Sequence, residues 1–214
     1  MTITNDDREH FQATVSDFHA QPEPDSCLPT AIKNVLHSLA DKNGDPSLKY
    51  SISEIGEALN YTKHRASASD QIASRLDPLL EDAGYEVNVM IGSDFGQLQK
   101  IIDSEKRSLP ICELHESYFE AVESNNSGYN PEPGRDGYGN WQHVVIPFKV
   151  NDENVLYFDP FLQFFHNLDD LDESGAMVQP ITAFNEWWSR PEKRWTLWIE
   201  PVKQQTLSAS FDGG

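Results

Sequence analysis

Gln21-Pro22-Glu23-Pro24-Asp25-Ser26-Cys27-Leu28-Pro29-Thr30-Ala31 is the stretch on which the fold of this chain turns. It runs directly into a segment where Ile32, Val35, Leu36 and Leu39 recur at the spacing of one helical face, which predicts a helix from about Cys27 to Ala40. Cys27 then stands at or just before the first helical turn. There the unpaired backbone N–H groups and the positive end of the helix dipole favour a thiolate over a thiol. Gln21, six residues upstream, carries a side-chain amide able to donate to an oxyanion forming beside the sulfur. A sulfur nucleophile needs a base, and the base needs a group that orients it. Trp141-Gln142-His143-Val144-Val145-Ile146 offers a histidine leading into a strand-like run, and Asp159 ends the next such run. The candidate catalytic residues are therefore Cys27, His143, Asp159 and Gln21.

Those three motifs resemble the papain-like cysteine peptidases. They are Gln-x5-Cys opening a helix, His143-Val144-Val145-Ile146 on a strand, and a strand ending Phe158-Asp159-Pro160. The likeness is to the bacteriocin-processing, double-glycine peptidase family and its stand-alone relatives, and it spans residues 15 to 201. Family members commonly carry Gly after the nucleophile, where this chain has Leu28-Pro29. The resemblance implies an α+β, papain-like fold: a helical lobe carrying Cys27 packed on an antiparallel sheet lobe carrying His143, with the cleft between. It also implies hydrolysis of peptide or isopeptide bonds, after small residues such as a double glycine, with no metal or organic cofactor. Leader removal during export would need a separate transporter chain as partner. Two other readings remain open: an acyl transferase or amidase using the same thiol chemistry, and a catalytically silent papain-like module for binding or regulation.

Composition narrows the partners. The 214 residues include 16 basic and 35 acidic side chains, a formal net charge of −19, so nucleic acid and anionic membrane would be repelled. The carboxylates are spread along the chain and Lys is scarce, a pattern we read as adaptation to high salt, ahead of an acidic docking surface or an acidic tail. Two cysteines make no disulfide framework, and no Cys/His spacing marks structural zinc. The first residues, Met1 to Asp7, have neither a basic region nor an apolar run. No membrane span is visible either, so the expected location is the cytoplasm. Peptide or protein is the expected substrate, and the oligomeric state is left open.

Outward from the nucleophile, the expected domains are a polar N-terminal arm (1–20), a peptidase domain (21–201) and a disordered tail (202–214). The arm has one weak apolar set, Phe11, Val15 and Phe18, and reads as loosely ordered or as a short strand or helix packed on the domain. Ser51-Ile52-Ser53-Glu54 reads as a capping box opening a short helix to about Asn60. A helix from about Ser69 to Ala83 contains Pro78, which suggests two shorter pieces. Tyr85 to Met90 alternates as a strand, Asp94 caps a helix with Phe95, Leu98, Ile101 and Ile102 on one face, and Leu109 to Leu114 is a short strand.

From Glu116 to Asn140 the chain turns polar and rich in Gly, Asn and Pro, which reads as a long loop, either a lid at the substrate rim or an inert insertion. Strands at Gln142–Val150 and Val155–Phe158 flank a turn at Asn151–Asn154. An aromatic cluster follows (Phe161, Phe164, Phe165), then an acidic stretch from Asp169 to Glu173. Ile181 to Ser189 reads as a helix and Trp195 to Glu200 as a closing strand. Cys112, between Ile111 and Glu113 in a strand, reads as core. His10, His19, His37, His64, His115 and His166 lack metal-ligand spacing and read as solvated or packed, and the Trp-rich C-terminal segment as core beneath the sheet. The terminal Gly213-Gly214 reads as part of a flexible tail.

Overall fold

A computed structural model describes residues 2–23, 26–61, 71–115, 117–124, 142–161, 176–190 and 194–202. His64, His166, Phe164, Phe165, the acidic stretch 169–173, residues 125–140 of the expected loop and the tail from 203 lie outside the described residues.

The N-terminal residues form helix α1 (Asn5–Val15), started by a capping box in which Thr4 and Asp7 satisfy each other's backbone N–H groups. Most of its side chains are polar, but Phe11 is fully buried and meets Phe148 edge-on at 5.2 Å between ring centroids. Burying a side chain of that size contributes roughly 1.5–3 kcal/mol, enough to hold an otherwise polar helix on the domain. Helix α2 (Cys27–Asn43) follows, with Ala31, Ile32, Val35, Leu36, Leu39 and Ala40 buried along one side. It stops at Gly44, whose φ of +65° is a left-handed conformation open to glycine at little cost, and the Gly44 N–H closes on the Ala40 carbonyl.

Helix α3 (Ile52–Ala58) has the Ser51/Glu54 capping box expected of it. Helix α4 (Ile72–Leu80) accommodates Pro78 near its C-terminal end and passes into a 3-10 turn over Glu81–Ala83. Strand β1 (Tyr85–Met90) and helix α5 (Phe95–Ile102) follow, the helix capped by Asp94 with Gln97. Strand β2 spans Ile111–Leu114.

Helix α6 (Ser117–Ser124) stands where the sequence read as loop. The overall composition of 116–140 is polar, yet Tyr118 and Phe119 at its start are both buried and anchor a short helix. Strands β3 (His143–Val150) and β4 (Asn154–Phe158) form a hairpin, its turn held by Asn151 Oδ1 accepting from the Glu153 and Asn154 N–H groups. Strand β5 (Met177–Pro180), helix α7 (Ile181–Ser189) and strand β6 (Thr196–Pro201) complete the described strands and α-helices.

The six strands described form one sheet in the order β1-β6-β2-β3-β4-β5, and every neighbouring pair is antiparallel. The last strand does not close the sheet at its margin. It lies between β1 and β2, with Ile199 opposite Val87 and Leu197 opposite Val89 on one side and Ile111 on the other. Alternation then divides the core. Ile111, Val144, Ile146, Phe148, Leu156 and Leu197 belong to the cluster built with α1 to α4. Cys112, Leu114, Val145, Val155 and Tyr157 belong to a second cluster with α5, α6 and α7, where Trp187 and Trp188 also lie. The architecture is α+β, an antiparallel sheet with helices against both faces. No described helix is long and apolar enough to cross a membrane.

Candidate active site

Residues Glu23 and Ser26 shape the entry to α2. Three donors converge on the Glu23 carbonyl: Gln21 Nε2 at 2.9 Å, Ser26 Oγ at 2.8 Å and the Ser26 N–H at 3.1 Å. Ser26 occupies the N-cap position, but its hydroxyl turns back to Glu23 and makes no capping bond into the helix. Cys27, Leu28 and Pro29 are then the first three helical residues. Pro29 has no N–H to lose at a position where an intrahelical partner is absent in any case. The Cys27 and Leu28 N–H groups thus mark the positive end of a 17-residue helix, with a half-buried Cys27 on its first residue.

His143 opens β3 and is 2% exposed. Its Nε2 donates to Asp159 Oδ1 at 2.6 Å, and Asp159 is fully buried at the residue following β4. The Cys27 side chain acts on the same ring, raising the His143 pKa alongside Asp159. With Nε2 committed to Asp159, Nδ1 is the nitrogen left to face sulfur. Burial by itself would lower the His143 pKa. The charge and hydrogen bond of Asp159, joined by those of Cys27, outweigh it and push the imidazole up to about 10. His143 therefore carries a proton through the neutral range.

Asp159 is held from three directions. Its Oδ1 also accepts the Phe161 N–H at 2.8 Å, and its Oδ2 accepts the Tyr118 hydroxyl. Gln21, itself fully buried, is tied to the same corner, because its backbone N–H donates to the Pro160 carbonyl at 2.7 Å. Hydrogen bonds thus join three residues singled out from sequence, His143 to Asp159 and Gln21 to the residue after Asp159, and the fourth, Cys27, raises the pKa of the same imidazole.

Tyr118 and Phe119 escaped the sequence reading, which named Phe161 only as part of an aromatic cluster. The Tyr118 ring lies parallel to the imidazole (6° between planes, centroids 5.7 Å apart), Phe119 approaches it at 4.8 Å and Phe161 at 6.0 Å. A lone Tyr-Phe pair inside a polar segment gives no periodicity to read, so only the fold reveals it.

The reading of Cys112 and the Trp-rich segment as core has a clear structural counterpart. Cys112 is fully buried in β2, and burial pushes its thiol pKa strongly upward. Trp187, Trp188, Trp195 and Trp198 are all buried. Among the described residues no group of His, Cys, Asp and Glu could hold a metal ion. His37 bonds the Tyr50 carbonyl, His115 bonds Ser117 at the start of α6, and His10 packs on Phe148. A groove of about 650 Å³ lies between α1, the C-terminal half of α2 and α5, lined by residues such as His10, Phe18, Lys42 and Phe148. None of Cys27, His143, Asp159 or Gln21 borders it, and no thiol lines it, so this groove is not the candidate site.

No protein-family model matches the sequence, and no curated relative does either. Among solved structures, the chain is similar to the peptidase domain of Streptococcus ComA, a bi-functional ABC transporter involved in a quorum sensing pathway. The two share 16% sequence identity with a TM-score of 0.48, over 86% of this chain and 96% of that one.

Proposed function

We propose that this chain is a papain-like cysteine peptidase that hydrolyses peptide or isopeptide bonds through Cys27, His143 and Asp159. The observation carrying this reading is the arrangement at one imidazole: His143 is bonded to a buried carboxylate through Nε2, and the thiol that further raises its pKa stands on the first residue of a helix. That is the nucleophile, proton carrier and orienting group of thiol acyl transfer, in the order the chemistry needs.

In the proposed reaction the Cys27 sulfur, its proton resting on His143, attacks the scissile carbonyl carbon. The carbonyl electron pair moves to oxygen, and the Cys27 N–H with the Gln21 amide stabilise the resulting oxyanion. As the intermediate collapses, the C–N bond breaks, the imidazolium proton passes to the leaving amine, and a thioester remains on Cys27. Neutral His143 then takes a proton from water, whose oxygen attacks the thioester carbon. Collapse releases the carboxylic acid and returns the thiolate–imidazolium pair. Asp159 fixes the ring throughout. The preference for small residues such as a double glycine before the cleaved bond belongs to this reading, as does adaptation to high salt.

The test is cleavage of a peptide library containing Gly-Gly sites, read by mass spectrometry, with Cys27→Ala as the control. Cleavage that disappears in the variant is expected. Aminolysis of a trapped thioester without hydrolysis would reassign the site to acyl transfer. A Cys27 that alkylates no faster than Cys112 would leave only a binding module.

A further inference from the structure

The carboxylate at the end of the site is itself the terminus of a buried hydroxyl relay. Tyr157, on β4, donates its hydroxyl to the Tyr118 oxygen at 3.3 Å, and Tyr118 donates in turn to Asp159 Oδ2. All three side chains are fully buried, so water does not substitute for any link. The relay is one-directional. Asp159 Oδ1 is occupied by His143 Nε2 and the Phe161 N–H, so Oδ2 has a hydroxyl as its partner. Tyr118 is surrounded by charge that discourages ionisation: burial, then the Asp159 carboxylate, then Tyr157 all raise its pKa well above the ordinary phenol value. It therefore remains a donor over the working range of a thiol enzyme. The same residue lies flat beside the imidazole, so one side chain restrains both partners of the His143–Asp159 bond.

Resting on the catalytic reading of Cys27 and His143, we propose that Tyr118 is a positioning residue. By pinning Oδ2, it holds the Asp159 carboxylate in the rotamer that presents Oδ1 to His143 Nε2, and through it fixes the ring nitrogen that faces Cys27. Without that hydroxyl Oδ2 is a buried oxygen with no donor, and the carboxylate, held through Oδ1 alone, can shift about its terminal torsion, a broad and soft one. The imidazole would then lose its fixed orientation while every aromatic contact stayed in place.

The experiment is a double-mutant cycle on the pH profile of Cys27 alkylation by iodoacetamide, which needs no substrate. Tyr118→Phe keeps the ring and removes only the hydroxyl. It is expected to slow alkylation at about pH 6 by roughly 3- to 10-fold, in the direction of Asp159→Asn, and the Tyr118→Phe/Asp159→Asn double variant should match Asp159→Asn alone within about twofold. A wild-type profile for Tyr118→Phe, or effects that multiply in the double variant, would overturn the proposal, since a packing role acts independently of Asp159. His143→Ala is the control for the underlying reading. If it too leaves the profile unchanged, the Cys27–His143 pair itself is refuted. A shifted His143→Ala profile beside an unshifted Tyr118→Phe profile refutes the relay alone. Should Tyr118→Phe fail to fold, Tyr157→Phe removes the hydroxyl behind it, and a shift of the same sign is expected. An unchanged profile there would count against the relay.

Discussion

The two cysteines of this chain show how position alone changes a thiol. Cys112 lies in the middle of β2 with no exposure, opposite Val145, and its sulfur meets the Thr196 hydroxyl at 3.9 Å. Cys27 is half-buried on the first residue of α2 and helps to raise the pKa of the His143 imidazole. One thiol is a small apolar side chain filling a core. The other has a helix terminus, a cation and access to solvent. The difference is one of surroundings, so each element of those surroundings can be removed to test it.

Removing the cation should have the largest effect. His143→Ala is expected to reduce peptidase turnover by about 10²- to 10⁴-fold, the usual worth of a general acid–base group. It should also erase the preference of iodoacetamide for Cys27 over Cys112, read by peptide mapping. The pH dependence of stability follows from the same residue. Its pKa is raised from 6.5 to about 10 on folding, so the stabilisation is fully present below about pH 6.5 and is lost as pH rises towards 10. Chemical denaturation of wild type should therefore show stability falling across that window, and His143→Ala should lack that component. An identical decline in both proteins would show that His143 is not the titrating group.

Removing Gln21 separates ground state from transition state. Gln21→Ala should leave Cys27 alkylation nearly unchanged, because alkylation forms no oxyanion, while lowering turnover on a cleaved peptide by about 10²- to 10³-fold. An equal loss in both assays would place Gln21 in the architecture of the loop, through its bonds to Glu23 and Pro160, and outside the oxyanion site.

The opposite outcome is expected at the buried thiol. Cys112→Ala should cost about 1 kcal/mol of stability through the small void left in the core, with turnover unaltered. A loss of turnover without a loss of stability would break the comparison between the two cysteines.

How much of this was legible in the sequence depends on the range of the interaction involved. Local signals read well: the Ser51/Glu54 box, the Asp94 cap, the alternation of β1 and the helix at α7 are each decided within a few residues. The candidate site was readable because Gln21 and Cys27 are neighbours, and because His143 and Asp159 sit at strand ends that punctuation marks. Long-range choices were not. The position of β6 between β1 and β2 depends on pairings of Ile199 with Val87 and Thr196 with Cys112 that no local pattern encodes. Helix α6 is short and opens a polar segment, and its reason for existing is the burial of Tyr118 and Phe119 against residues far along the chain. Tyr118 meets Asp159 across 41 positions, so its part in the site is invisible until the sheet is assembled.

The smallest effect per residue should come from the surface, and salt separates it from the site. A net charge of −19 leaves many carboxylates without a cationic partner, and their mutual repulsion opposes the compact state. The exposed pairs that do form, such as Lys49–Asp41 and Arg190–Glu186, contribute about 0–1 kcal/mol each in water. Raising potassium chloride from about 0.05 M to 2 M shortens the screening length to roughly 3 Å or less. The melting temperature should rise steeply over that range as repulsion is screened. The His143–Asp159 pair is 2% and 0% exposed, out of reach of the added ions, so the pH profile of Cys27 alkylation should stay where it is. A flat melting profile would remove salt adaptation as the account of the acidic composition and leave a docking surface for a basic partner. An alkylation profile that moves with salt as far as the melting temperature does would mean that the site is wetter than its burial implies, and the contrast between the two thiols would narrow accordingly.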